Sequence, residues 1–220
     1  MIRIRLVRLF IFFLLFSGCV NIVYAAQTGS VQYTLPIDYS LIDEAQLSSE
    51  AESLFDAYCK STDENQKKIL LNKLLSNYSI LSETDHENPL YATRLGIIYD
   101  KLKRDRWAKS YFFKSENLRE DYPYSFYSFG NFFYDRKEYK KALYEYLKAY
   151  NTGYSTDYDT LCKIGAIYEK FGDFKSSVKY YKQALLYNDN ADLRAKIIKL
   201  EELYEKNPLY DLQRKRGNLE

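Results

Sequence analysis

His86 is the single histidine of this 220-residue chain, and it lies in the polar connection from Ser82 to Asn88. Without a second histidine, a two-histidine metal site is excluded, as is a histidine triad that needs a partner base. The sequence also lacks a glycine-rich phosphate loop, a Cys-x-x-Cys pair and a His-Glu metal-binding helix. Acidic residues are plentiful, but none is set apart from the solvated helix faces. We therefore expect His86 to be a solvated loop residue, and we expect no enzyme activity, no metal and no cofactor.

Cys19 is the clearest candidate for covalent chemistry. Residues 1–26 have the arrangement of an export signal, with a basic start and an apolar run from Leu9. The run Leu15-Phe16-Ser17-Gly18-Cys19 resembles a bacterial lipobox, in which the cysteine is diacylated and becomes the mature N-terminus. Phe16 departs from that pattern, because the family prefers Leu, Val or Ile there. The resemblance implies lipid attachment at Cys19.

Two other fates remain open for residues 1–26. The run Val23-Tyr24-Ala25 offers an ordinary small-residue cleavage site. An uncleaved anchor is the third possibility, because Leu9 to Ala26 is close to the roughly 20 residues that span a bilayer. All three fates leave the N-terminal arginines inside and the rest of the chain outside the cytoplasm. We therefore expect the protein in the bacterial cell envelope, at the periplasmic or outer face of a membrane.

Cys59 and Cys162 are the other two cysteines. An export signal places them in an oxidising compartment, where an even number of cysteines can pair. In stacked helices, however, they would lie several layers of roughly 8–10 Å apart, whereas Cα atoms must approach within about 7 Å to bridge. We predict no disulfide, and we expect Cys59 to be a buried small apolar residue.

Composition favours helices and argues against nucleic acid as a partner. The 26.1-kDa chain has only 8 Gly and 4 Pro, which suits long helices with short connections. Its net charge is +2, and without Arg3, Arg5 and Arg8 it becomes −1. A nearly neutral body has no broad basic surface for nucleic acid.

Six segments follow from the order of these patterns. Residues 1–26 form the signal, lipoprotein or anchor segment, and residues 27–46 form a tether or an extended segment along the first helices. Residues 47–87 form a helical hairpin, with one apolar stripe at Ala51, Leu54, Phe55 and Tyr58 and another at Ile69, Leu70, Leu74, Tyr78 and Leu81. Three hairpin repeats occupy 88–190, a capping helix with a polar outer face occupies 191–206, and 207–220 form a flexible tail.

The three repeats share glycines and aromatics at fixed spacing. Gly96, Gly130 and Gly165 are 34 and 35 residues apart, a helical-hairpin period. Small residues and rings recur around them: Leu95, Tyr99, Ala108 and Phe112; Phe129, Phe133, Ala142 and Tyr146; Ile164, Tyr168, Ser177 and Tyr181. Gly and Ala permit a close helix crossing, and the large rings fill the spaces beside it.

This pattern resembles the tetratricopeptide repeat (TPR) family over roughly Asn88 to Tyr204. The resemblance implies an all-α solenoid of helical hairpins, with residues 47–87 as a degenerate first hairpin. The first repeat departs from the family in its turn, where Lys101 to Arg106 stand in place of the usual Gly and aromatic, and Trp107 could supply the missing bulk. The third repeat has the family's turn, with Gly172 available to end a helix.

The resemblance also implies a protein or peptide partner bound in a concave groove lined by the first helix of each repeat. The groove residues carried over are Thr93, Ile97, Asp100 and Lys101; Tyr127, Asn131, Tyr134 and Asp135; Cys162, Ala166, Glu169 and Lys170. Some family members clamp a peptide carboxylate with Lys, Asn and Arg. Here the corresponding positions are Thr93, Ile97, Ser128, Asp159 and Lys163, so only Lys163 could serve. We expect a mixed aromatic and polar groove instead.

A second class of function remains open, because basic residues cluster in the first turn. They are Lys101, Lys103, Arg104, Arg106 and Lys109. A solvated connection between helices is one interpretation. The other is a contact with lipid headgroups or an anionic partner, which would make the protein a structural envelope lipoprotein that binds glycan or anionic lipid.

Overall fold

The computed structural model describes residues 11–16, 19–24, 34–36 and 38–206. Strands β1 (Ile11–Phe16), β2 (Cys19–Tyr24) and β3 (Thr34–Pro36) form an antiparallel sheet in that order, with Phe16 opposite Cys19 and Ile22 opposite Leu35. No helix within the described ranges is long and apolar enough to cross a membrane. Ser17 and Gly18 of the lipobox, and the predicted flexible tail 207–220, lie outside the described residues.

The chain divides into two compact units, an N-terminal one, Met1–His86, and a C-terminal one, Glu87–Glu220. The N-terminal unit has a short 3₁₀ turn, Tyr39–Leu41, followed by α1 (Glu44–Lys60) and α2 (Glu64–Thr84). Asp43 and Asp63 cap the two helices by accepting hydrogen bonds from first-turn backbone N–H groups. The two helices pack as the hairpin that the sequence predicts.

Two expectations for this hairpin are wrong. Ile69 is 59% exposed, because the buried face of α2 follows Leu70, Leu74 and Leu81. Cys59 is exposed rather than buried, since it lies on the outer face of the last turn of α1. Cys59 and Cys162 are both free thiols.

The C-terminal unit is all α over its described residues. Its helices are α3 (Pro89–Lys101), α4 (Asp105–Leu118), α5 (Pro123–Asp135), α6 (Tyr139–Ala149), α7 (Tyr158–Phe171), α8 (Phe174–Leu185) and α9 (Ala191–Lys206). Consecutive helices pair into three antiparallel hairpins, α3–α4, α5–α6 and α7–α8, and α9 packs on α8. This is the predicted solenoid of TPR-type hairpins with a capping helix.

A glycine on the first helix of each hairpin faces an aromatic ring on the second helix. The pairs are Gly96 with Phe112, Gly130 with Tyr146, and Gly165 with Tyr181. A Cβ placed on these glycines would lie 2.8, 2.6 and 2.7 Å from the nearest ring carbon, respectively. Each ring therefore occupies the space of a missing side chain, and the crossing is as close as the repeat pattern predicts.

The three hairpin turns have one backbone geometry despite their different sequences. Lys103, Lys137 and Gly172 are left-handed, with φ of 59°, 61° and 71°. In each turn the next N–H donates to a carbonyl five residues earlier, as Arg104 does to Tyr99 at 2.9 Å. The first turn thus closes without glycine, and Trp107 stacks on Tyr99 beside it with ring centroids 5.9 Å apart.

The capping helix buries Leu193, Ile197 and Leu200 against the last hairpin, where Leu161 and Tyr181 belong to the same core. Its outer face is less polar than predicted, because Ile198 is 58% exposed. Ile198 follows Gly165 by 33 residues, so it stands close to the position of the next repeat's glycine. A branched side chain at that position is unfavourable for another close helix crossing.

Candidate peptide-binding groove

Tyr127, Asn131 and Tyr134 share one face of α5, since they are spaced by four and three residues. All three are half-buried. Beneath them lies Tyr146 of α6, whose hydroxyl donates to Asn131 Oδ1 at 2.8 Å. The Tyr146 ring centroid is 5.8 Å from that of Tyr127 and 6.4 Å from that of Tyr134. Tyr146 therefore fixes the rotamers of the predicted groove residues from below.

The flanks of this face are also aromatic and cationic. Tyr154, from the connection after α6, packs edge-on against Tyr127 at 5.9 Å. Burial raises the pKa of Tyr127, so its hydroxyl stays neutral. On the other side, Lys163 Nζ of α7 lies 4.5 Å from the Tyr134 ring centroid. This cation–aromatic contact joins the faces of α5 and α7.

The third repeat continues the face towards α9. Glu169 accepts a hydrogen bond from the Tyr181 hydroxyl at 2.8 Å and forms an ion pair with Lys196 of α9 at 2.7 Å. Lys196 Nζ lies 5.0 Å from the Tyr181 ring centroid. Lys170 is exposed, with its Nζ 5.0 Å from the Tyr139 ring centroid. We call the face formed by Tyr127, Asn131, Tyr134, Lys163 and Glu169 the groove.

The first repeat contributes less to this face than its sequence predicts. Thr93 is fully buried, and its hydroxyl bonds the carbonyl of Pro89 and the hydroxyl of Ser115, each at 2.8 Å. It therefore has no surface to offer a ligand, because the short side chain is held inside the α3–α4 contact. Ile97 is half-buried, and Lys101 is exposed at the end of α3, 3.6 Å from Asp100.

Two arrangements were missed by the sequence analysis. Arg94 donates from Nη1 to the Tyr124 hydroxyl at 2.6 Å and thereby joins α3 to α5. The sequence contained a signal for this contact. Arg94 precedes Lys163 by 69 residues, which is two repeat periods, so the two cations occupy equivalent positions. Asp100 is buried and pairs with Arg136 at 2.8 Å, so it also serves packing between hairpins rather than an open groove.

The second missed arrangement is a charged cluster where α4, α5 and α6 meet. Lys148 Nζ lies 3.0 Å from Glu116, 3.1 Å from Glu145 and 4.2 Å from the ring centroid of Phe126. Burial, followed by the nearby Glu116 carboxylate, raises the pKa of Glu145 to about 7. A cleft of about 350 Å³ opens beside this cluster. No sequence motif marks it, because its members come from different repeats.

The other candidate residues remain separate from the groove. His86 is exposed, as predicted, with Nδ1 2.7 Å from the Ser82 carbonyl oxygen. Cys19 begins β2, and its side chain lies outside the described residues. Within the described ranges, no group of three or more His, Cys, Asp or Glu side chains is placed to hold a metal ion.

Comparisons with solved structures agree with this architecture. The chain is similar to a structure titled "Functional Characterization of Pseudomonas Aeruginosa pilF", with a TM-score of 0.57 and 16% identity over 78% of this chain and 74% of that one. It is also similar to a MamA structure titled "MamA AMB-1 P212121", with a TM-score of 0.56 and 14% identity over 79% and 90% of the two chains. At such identities the likeness shows the fold alone. It is the TPR-type helical-hairpin fold.

A further MamA structure gives a TM-score of 0.51 and 15% identity over 75% of this chain and 94% of that one. No protein-family model matches the sequence, and no curated protein matches it either.

Proposed function

We propose that this protein is a non-enzymatic scaffold that binds a protein or peptide segment in the groove. The observation that supports this most directly is the row of half-buried side chains across α5 and α7, in which Tyr146 packs below the two tyrosines and Tyr181 bonds Glu169. Such a surface is pre-organised, so little side-chain entropy is lost when a ligand covers it. Tyrosine, moreover, is a common binding anchor at protein interfaces.

The groove also favours a mixed ligand over a purely apolar one. Asn131 offers a polar group between the rings of Tyr127 and Tyr134, and Lys163 offers a cation beside the Tyr134 ring. An extended segment with alternating aromatic and acidic side chains would satisfy both. A terminal carboxylate clamp is not proposed, because Lys163 has no basic or amide partner at the other clamp positions Thr93, Ile97, Ser128 and Asp159.

The test is affinity capture of the full chain from membranes, followed by mass spectrometry. The groove variant is Tyr127→Ala with Lys163→Ala, and the matched control is Tyr144→Ala, since Tyr144 is 63% exposed on another helix. We expect a partner that the parent and the control recover and the groove variant loses. Equal recovery by all three proteins, with unchanged circular dichroism, would refute the groove.

We further propose that the scaffold is exported and tethered through Cys19 in a bacterial cell envelope. The support is the sequence alone: a basic start, an apolar run and small residues before Cys19. Two acyl chains would hold the protein stably, whereas one binds a membrane only marginally. Intact mass is the test, and we expect a lipid adduct on a chain that begins at Cys19.

The variant Cys19→Ser separates the three fates of the N-terminus. Under lipidation it should release the protein from membranes or leave an unprocessed precursor. If cleavage follows Ala25, the substitution should leave the mature mass and the location unchanged. An uncleaved anchor would keep Met1 and the three arginines in the mass, and either of these two results would refute lipid attachment.

A further inference from the structure

The first two turns of the C-terminal unit place exposed cations on one edge. Lys103 and Arg104 lie in the turn before α4, and Arg106 lies in the first turn of α4. In the same way, Lys137 lies in the turn before α6, and Lys140 lies in the first turn of α6. Arg136 joins the two turns, because its guanidinium binds both carboxylate oxygens of Asp105, at 2.9 and 2.6 Å. We call the five exposed cations, without Arg136, the turn edge.

The carboxylates near the turn edge are engaged by other groups. Asp100 and Asp105 both pair with Arg136, and Glu138 pairs with Lys141. Within the described residues, the ion pairs of this region do not include any of the five turn-edge cations, although the charge of Lys103 helps to lower the pKa of Asp105. One further exposed carboxylate, Asp135, lies beside them. The edge therefore has an excess of positive charge directed at solvent, although the protein as a whole is nearly neutral.

Two of these lysines occupy strained backbone positions. Lys103 and Lys137 have φ of 59° and 61°, whereas the third turn uses Gly172 at the same place. A left-handed conformation costs a lysine stability that a glycine does not lose. Glycine, which the third turn uses, adopts this conformation without that cost. Strain of this kind points to a role for the side chains themselves.

The single tryptophan of the chain lies beside the same edge. Trp107 follows Arg106 directly, and its side chain is 55% exposed while one ring face stacks on Tyr99. An exposed indole among basic residues suits the boundary between lipid headgroups and acyl chains, because the ring is apolar and its N–H is polar. Simple electrostatic attraction to a soluble anion would not need this ring.

We propose that the turn edge docks on an anionic phospholipid bilayer. Cations follow the edge over two hairpins, which matches an extended charged surface better than a small ligand. The opposite ends of the helices have exposed acidic residues, Glu120, Asp159 and Asp192 among them. Those ends lie roughly 20 Å away, the length of a 13-residue helix. This charge asymmetry orients the turn edge towards the membrane.

The test uses Trp107 as its own reporter. The full chain is titrated with vesicles of pure phosphatidylcholine and with vesicles that contain about 30% phosphatidylglycerol as the anionic lipid. Residues 9–26 could attach the chain to either vesicle, so the measurement that decides is the tryptophan emission and not co-sedimentation. We expect a blue shift with the anionic vesicles alone, and we expect its loss in high salt.

Charge-reversal variants make the test specific. The triple variant Lys103→Glu, Arg104→Glu and Arg106→Glu should bind the anionic vesicles more weakly. The lipid concentration that gives half of the emission shift should rise by about a hundredfold. Acidic residues at the start of α4 favour the helix dipole, so this variant should fold. The control, Arg119→Glu with Lys199→Glu, changes charge away from the turn edge and should bind like the parent.

Three results of the vesicle titrations would overturn the proposal. They are an equal shift with neutral vesicles, an unchanged shift in the charge-reversal variant, and no shift with anionic vesicles. A shift produced as well by soluble polyanions, such as a nucleic acid or an acidic protein, would also refute a bilayer as the occupant.

Discussion

Gly130→Ala tests whether packing or helix propensity decides stability at the centre of the solenoid. The added Cβ would lie 2.6 Å from two ring carbons of Tyr146, about 1 Å inside ordinary contact. The ring cannot retreat easily, because it is fully buried and its hydroxyl is bonded to Asn131. Overpacking typically costs about 1–3 kcal/mol, whereas replacing a helical glycine by alanine contributes about 1 kcal/mol of stability.

We expect the clash to win, with a net loss of up to about 2 kcal/mol in the free energy of unfolding. Denaturant titration followed by far-ultraviolet circular dichroism measures it, and the melting temperature should fall by several degrees. Gly165→Ala and Gly96→Ala should be destabilising too, with the smallest effect at Gly96, where the contact is 2.8 Å. Gly130→Leu should lower the free energy of unfolding more than Gly130→Ala does.

Ala195→Gly is the matched control. Because Ala195 is exposed on α9, this substitution measures the difference in helix propensity between alanine and glycine without a change in packing. It should cost about 1 kcal/mol. In a Tyr146→Leu background the ring is gone, so Gly130→Ala should become less destabilising by about 1 kcal/mol or more. A Gly130→Ala protein as stable as the parent, or more stable, would refute the close crossing.

Three further predictions concern stability. Lys137→Gly should raise the free energy of unfolding by about 1 kcal/mol, because it relieves the left-handed lysine; a lower melting temperature would contradict this explanation. Glu145→Gln should be more stable than the parent at pH 8 by about 1–3 kcal/mol, and the difference should disappear below pH 4.5. The reason is the raised pKa of Glu145, because of which the folded parent loses stability as pH rises from 4.5 to about 7. The pKa of Glu138 is lowered, chiefly by its hydrogen bond from Lys141, so the same titration of Glu138→Gln should give a difference of the opposite sign, and equal pH profiles for the two variants would refute the assignment.

Much of the fold could be predicted from the sequence, because its signals are local and periodic. Gly96, Gly130 and Gly165 recur with one period, and each precedes its ring partner by 16 residues, which fixes the hairpin. The capping helix followed from an apolar stripe. The errors arose at single positions. Cys59 and Ile69 were placed on the wrong faces, since adjacent apolar residues leave the edge of a stripe undefined.

The candidate groove was predicted only in part. Repeat register located Tyr127, Asn131 and Tyr134, and the structure brings them over Tyr146. Repeat register wrongly placed Thr93 on the groove surface. Its burial depends on the contact with Ser115 of the next helix, which the spacing within α3 does not reveal. Lys196, which pairs with Glu169, comes from a helix outside the repeats and could not be found by repeat alignment.

The sequence by itself determined the period and the glycine–aromatic crossings, since both depend on residue size at a fixed helical position. Tertiary structure alone decided which charges meet. Lys148 pairs with Glu116 of the preceding hairpin, and Arg136 pairs with Asp105 in the same way. The left-handed backbone of Lys103 could not be predicted from the sequence either, because lysine is not typical of positions with positive φ. Electrostatic contacts depend on distances through space, and those distances exist only once the hairpins have stacked.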